Sequence, residues 1–143
     1  MSFLKDMDSD LYKMLMKVDK YFEIDEENLE KDLSRFSPVY GYFSTKLAKY
    51  QSLMEKAKFE LGRLQAELDS EYRSKFREEG TKFTEKMIES SIITDERYID
   101  KQEFYQNLRE VFLILQKVVD SLSTKKDMLI SLVSMKRIES SME

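Results

Sequence analysis

The sequence predicts an all-α protein: a long antiparallel two-helix, coiled-coil-like hairpin with short N-terminal helices, assembling into a homo-oligomer. Three observations carry this expectation. Glycine and proline are scarce, 3 and 1 in 143 residues, and charged residues reach 36%, a composition that favours long helices over sandwiches, barrels or disorder. Apolar residues recur at alternating steps of three and four along two long stretches, the period of a helix with one buried face. The longest unbroken apolar run is Val111–Leu115, five residues, where a membrane span takes about 20. No membrane association and no secretory leader are therefore expected.

The chain divides by charge into an acidic N-terminal helical segment, 1–37, and a long helical hairpin, 38–143. Residues 1–37 carry ten acidic and six basic residues, and 38–143 carry eighteen of each. Within the first segment, Leu11, Met14, Leu15 and Val18 mark one face of a helix at about 9–20. Tyr21, Phe22, Glu23 and Ile24 then read as extended. Asp25 is placed as the N-cap of a short helix over 26–35, with Glu26 and Glu27 in its first turn. Ser37-Pro38, serine at N-cap and proline at N1, marks the start of the first long helix, about 38–79.

The seam of that helix reads Tyr40, Phe43, Leu47, Tyr50, Met54, Ala57, Leu61, Leu64, Leu68, a heptad pattern, with a phase slip at Tyr72 and Phe76. Gly80 is its left-handed cap. The connector 80–94 holds a short helix capped by Thr84, and Thr94-Asp95 open the second long helix, about 95–138. The second seam reads Tyr98, Lys101, Tyr105, Leu108, Phe112, Leu115, Val119, Leu122, Lys126, Leu129, Val133. A further apolar stripe, Phe104, Val111, Ile114 and Val118, is surplus to a two-helix hairpin and is assigned to packing on the N-terminal helices or on other subunits.

The chemistry available is narrow. The chain has no cysteine and no histidine, which removes thiol nucleophiles, serine–histidine pairs and the usual zinc ligands. Gly41, Gly62 and Gly80 are isolated, so no glycine-rich phosphate cradle exists. No catalytic residue, metal or cofactor is expected, and zero cysteine fits a reducing cytoplasm.

Charge, in contrast, is segregated. An antiparallel hairpin turning about 80–94 sets residue i opposite about residue 175 − i, bringing Lys46 and Lys49 near Lys125 and Lys126, and Lys58 near Lys117. Residues 46–63 and 117–137 each hold five basic and two acidic residues. The half of the hairpin far from its turn is thus positive, although the chain is −4 overall. Such a surface can bind phosphates by counterion release. The alternative is that these side chains solvate helix faces through i,i+4 pairs such as Lys56–Glu60. Tyr42 and Phe59 lie off the seam and are candidates for stacking on unpaired bases.

The order of features resembles the UvsY-like recombination mediator proteins of bacteriophages. The resemblance lies in Tyr21-Phe22-Glu23-Ile24-Asp25 with Leu29, the Pro38-Val39-Tyr40 start, the Leu61–Tyr72 helix and the block Lys82-Phe83-Thr84-Glu85-Lys86-Met87-Ile88. Ile92, Asp95 and Tyr98 follow, then Lys125-Lys126-Asp127-Met128-Leu129-Ile130-Ser131-Leu132. The resemblance implies a non-enzymatic protein that binds single-stranded DNA and helps a RecA-like recombinase displace the single-strand-binding protein. It also implies a ring of helical subunits, a hexamer or heptamer, in the host cell's cytoplasm.

The family's contacts fall on the first long helix, which carries over to Lys56, Lys58 and Arg63, with Lys117 expected near Lys58. Gln65 and Glu67 stand where that family has a basic pair, which shifts weight to Lys46, Lys49, Lys125 and Lys126. Two other readings stay open. One is a structural or chaperone-like coiled-coil oligomer without DNA binding; the other is a small acidic phage regulator of a host protein.

Overall fold

The computed structural model describes residues 2–142, without the side chain of Ser2. After a 3-10 turn, Ser2–Asp6, come α1 (Ser9–Leu15), α2 (Val18–Phe22), α3 (Leu29–Glu78), α4 (Glu85–Ile93) and α5 (Glu96–Met142). No strand occurs among the described residues, and no helix is long and apolar enough to cross a membrane. Two compact units form: one from Gln51–Glu110 with the chain up to Asp6, the other from Met7–Tyr50 with the chain from Val111 onward. In each, a stretch of α3 packs against a stretch of α5.

The expected helix over 9–20 is split at Met16-Lys17, where Lys17 N–H closes a tight turn onto Met14 O at 3.1 Å. Tyr21 and Phe22, expected to be extended, end α2; the extended conformation begins at Glu23. Asp25 does not cap a helix over 26–35. Its carboxylate accepts the Glu27 N–H at 3.2 Å, and α3 starts at Leu29 with Asp32 N–H on Asn28 O at 2.9 Å.

Nor does Pro38 open the first long helix: α3 begins earlier and runs through it. Proline in a helix interior forfeits one backbone hydrogen bond. Here the buried residues Leu29, Phe36 and Phe43 continue one stripe across that point, and their burial, about 1.5–3 kcal/mol each, outweighs the loss. Pro38 itself faces solvent.

All nine expected seam positions of α3 are buried or half-buried. The most deeply buried follow a heptad rhythm, Leu29, Phe36, Phe43, Tyr50, Ala57, and the next is Leu68. Half-buried Leu61 and Leu64 keep the alternation up to Leu68, and beyond it the stripe continues at steps of four through Tyr72 and Phe76, which is the expected phase slip. A straight helix drifts relative to a strict heptad, and an added step of four resets the stripe.

On α5 the core runs Leu108, Val111, Leu115, Val118, Leu122, Lys125, Leu129, Val133. The seam therefore takes in Val111 and Val118, which by sequence belong to the surplus stripe. It takes Lys125 in place of Lys126, while Lys101 is exposed.

In the unit around α4, Ile88 and Ile92 close on Leu68, with Leu64, Tyr72, Phe76, Phe83 and Tyr98 packed around them. Gly80, at φ 69°, ends α3 in a Schellman arrangement: Thr81 N–H reaches Phe76 O at 2.9 Å and Gly80 N–H reaches Arg77 O at 3.1 Å. Thr84 caps α4 through Met87 N–H at 3.2 Å, and Asp95 accepts the Arg97 N–H at 2.9 Å.

Because α4 folds back onto α3, α5 starts beside Tyr72, whose hydroxyl donates to Asp95 at 2.7 Å. The expected register set Tyr72 opposite residue 103 and Tyr40 opposite residue 135. Tyr72 meets Asp95 instead, and Lys126 lies over the Tyr40 ring.

Candidate nucleic-acid interface

The basic residues singled out by sequence fall into two groups. Lys56, Lys58 and Arg63 belong to the unit containing α4; Lys46, Lys49, Lys117, Lys125 and Lys126 belong to the other.

In the second unit the corrected register separates Lys46 and Lys49 from Lys125 and Lys126, and the N-terminal segment reaches the first pair. Asp8, just ahead of α1, accepts from Lys46 Nζ at 2.8 Å and Lys49 Nζ at 2.7 Å, and its backbone N–H donates to the Tyr50 hydroxyl at 2.9 Å. Asp10 accepts from the Tyr42 hydroxyl at 2.6 Å and pairs with Lys46 at 3.1 Å. The fully buried Leu11 anchors α1 below these contacts.

The electrostatics follow from the pairing. Hydrogen bonds from Lys46 and then Lys49 hold the Asp8 carboxyl at about 2, and the Asp8 carboxylate raises the Lys46 ammonium above its ordinary range. Burial, reinforced by the Asp10 carboxylate, pushes the Tyr42 phenol up to about 12. Tyr42 is thus a neutral donor to a carboxylate, with Lys46 Nζ 5.6 Å from its ring centre, rather than a stacking surface.

Lys125 is only 6% exposed. Its Nζ donates to Asp32 Oδ1 at 3.0 Å and to the Tyr21 carbonyl at 2.8 Å. Tyr21 lies in the last turn of α2, where carbonyls lack helical partners, so the lysine satisfies one of them. Asp32 also accepts the Asp25 N–H at 2.9 Å. Lys125 is a core residue tying the N-terminal segment to α5, its ammonium engaged by Asp32 and the Tyr21 carbonyl. Lys126 is half-buried, 5.8 Å from the Tyr40 ring centre. Lys117 is exposed and forms no ion pair among the described residues.

The stripe assigned to the N-terminal helices or to other subunits is divided. Val111 and Val118 are inside the chain's own core, Ile114 is half-buried, and Phe104 is 41% exposed. On α5 the exposed large apolar side chains are concentrated further on, at Met128, Ile130, Met135, Ile138 and Met142.

The other unit holds a different arrangement. Lys56 and Lys58 are exposed and form no ion pair among the described residues. Glu60, the expected partner of Lys56, pairs with Lys101 at 3.6 Å. Arg63 is exposed and meets Glu67 in a loose i,i+4 pair of 3.4 Å. Between them Phe59 stands 72% exposed, over a shallow depression lined by Glu55, Lys58, Gly62 and Arg63. With no side chain at Gly62, the adjoining turn of α3 leaves that depression open.

The remaining ionic contacts of this unit serve the fold. Arg97 bridges Glu71 at 3.0 Å and Asp95 at 2.9 Å, holding the Asp95 carboxyl well below its ordinary range. Arg73 joins Asp69 at 2.6 Å and Glu85.

The aromatic at position 59 was legible only as a residue off the seam. The roles of Asp8 and Asp10 were missed, although the opposite charges of segment 1–37 and stretch 46–63 were a signal for them. Comparison with known proteins finds no matching family model, no matching curated protein and no matching solved structure.

Proposed function

We propose that the chain is a non-enzymatic single-stranded-DNA-binding protein that acts as a recombination mediator, assisting a RecA-like recombinase onto strands coated by single-strand-binding protein. One observation carries the reading: an exposed Phe59 flanked by Lys56, Lys58 and Arg63, cations on neighbouring turns of α3 with little or no internal pairing. A large aromatic left in water beside cations suits a strand whose bases stack while its phosphates are neutralised. The same stretch is where the resemblance to the UvsY-like mediators carries its contacts.

The proposed mechanism is weak, repeated binding. Each site contributes one stacking partner and a few cations, so a strand is held by avidity over several subunits and passes to a recombinase filament by stepwise exchange. The homo-oligomer this requires draws support from the exposed Met128, Met135, Ile138 and Met142 of α5, which recur at steps of seven, three and four.

Fluorescence anisotropy of a labelled oligo-dT is the test. Phe59→Ala is expected to weaken binding about tenfold, in line with one lost base stack. Lys56→Ala/Lys58→Ala/Arg63→Ala is expected to abolish binding at physiological salt. Binding indifferent to all four substitutions would sink the reading. Met135→Glu/Ile138→Glu, followed by native mass spectrometry, should yield monomers; an unchanged assembly would remove α5 from the subunit contact.

A further inference from the structure

We infer that segment 7–28 is a displaceable acidic cover over a second single-strand-binding surface, formed on α3 by Lys46 and Lys49, with Asp8 and Asp10 standing where strand phosphates would bind. The inference rests on the single-strand reading above and names a further surface for the same ligand.

The argument begins with charge. Residues 7–28 carry seven acidic and three basic residues, whereas 29–50 and 111–143 together carry nine basic and six acidic. The helices of this unit are therefore positive by themselves, and the segment lying on them makes the sum negative.

The contacts have the character of an anion site in use. Two lysines converge on one oxygen of Asp8, at 2.8 and 2.7 Å, and Lys46 also meets Asp10 at 3.1 Å. Two carboxylates two residues apart, shared among ammonium groups, resemble successive phosphates in charge and hydrogen-bonding capacity.

Apart from the Lys125 tie at the Tyr21 carbonyl and the Asp32 tie at the Asp25 N–H, both at its far end, the cover is lightly held. Helices α1 and α2 have seven and five residues, too short to persist unaided. Leu11 is the single fully buried side chain between 7 and 28. Segments with few buried apolar side chains open at low cost, and a polyanion supplying its own phosphates would replace what the lysines lose.

The experiment compares oligo-dT binding at low salt by the full-length wild type, Asp8→Asn/Asp10→Asn, and the same variant carrying Lys46→Ala/Lys49→Ala. Removing the two carboxylates should tighten binding at least about fivefold, as release of two phosphate-binding lysines requires, and the added alanines should erase that gain. Unchanged or weaker binding by a cooperatively folded Asp8→Asn/Asp10→Asn would overturn the cover.

Should that variant not fold, hydrogen exchange of the wild type decides. Amides 9–22 should lose protection when oligo-dT binds, and constant or greater protection would refute displacement. A loss on Phe59→Ala without a gain on Asp8→Asn/Asp10→Asn overturns the cover alone. The converse overturns the Phe59 site alone, and no binding by any form overturns both.

Discussion

Asp8 and Lys125 show how single side chains set the character of this fold. With its carboxyl held at about 2 against an ordinary 3.8, Asp8 favours the folded state above pH 4. That contribution is lost as pH falls from about 4 to about 2. It should amount to roughly 1 kcal/mol after solvent screening. Wild type should therefore lose its advantage over Asp8→Asn across that window, read by thermal melts at successive pH values. A constant difference between them would contradict the pairing.

Lys125 makes a different prediction. Taking one partner from a buried ion pair leaves an uncompensated charge, so Lys125→Ala should destabilise by about 3 kcal/mol. Lys125→Leu/Asp32→Leu should recover only part of that loss, because a leucine at position 125 continues the seam of Leu122 and Leu129 while the Tyr21 carbonyl and the Asp25 N–H lose their partners. Denaturant titrations of both variants separate pairing from packing.

At the scale of elements, α3 carries a flaw that its packing tolerates. Pro38 is exposed within the helix, so Pro38→Ala restores a backbone hydrogen bond without removing buried surface. It should stabilise by about 1–3 kcal/mol, visible as a raised melting temperature. A lowered one would mean that the proline ring holds the backbone on which Phe36 and Phe43 pack.

Gly80 shows the opposite case. It holds φ 69° with open space where a Cβ would stand, so the cost of Gly80→Ala is purely backbone strain, about 1 kcal/mol. Gly62 has equal room and helical geometry, so Gly62→Ala should stabilise α3 slightly while narrowing the depression beside Phe59.

For the molecule as a whole, the charge pattern decides what can be bound. A chain of net −4 and pI near 5.1 is repelled by nucleic acid at long range, so binding must come from local cation clusters and should be salt-sensitive. Three cations at Lys56, Lys58 and Arg63 predict a slope of log affinity against log salt of about −2 for single strands. The Asp8→Asn/Asp10→Asn variant, with two more lysines exposed, should give a steeper slope. A salt-independent affinity would point to apolar binding instead.

The helical class, the heptad seam of α3 and the caps at Gly80, Thr84 and Asp95 were all readable from the residues alone. Each of these depends on residues close together in the chain. The start of α3 was misplaced because local signals at Ser37-Pro38 are real but weaker than the burial of Leu29, Phe36 and Phe43. The register of α5 was misplaced because the packing of Ile88 and Ile92 on Leu68 folds the connector back, and no local signal reports that.

The candidate site divides along the same line. That Lys46, Lys49, Lys56, Lys58 and Arg63 gather on α3 was plain from spacing. Which of them meet a carboxylate from outside α3 depended on where a segment some forty residues away in sequence comes to rest. Charge complementarity indicates that opposite stretches attract; it is the seating of α1 beside α3 that brings the acidic segment onto its own chain's lysines.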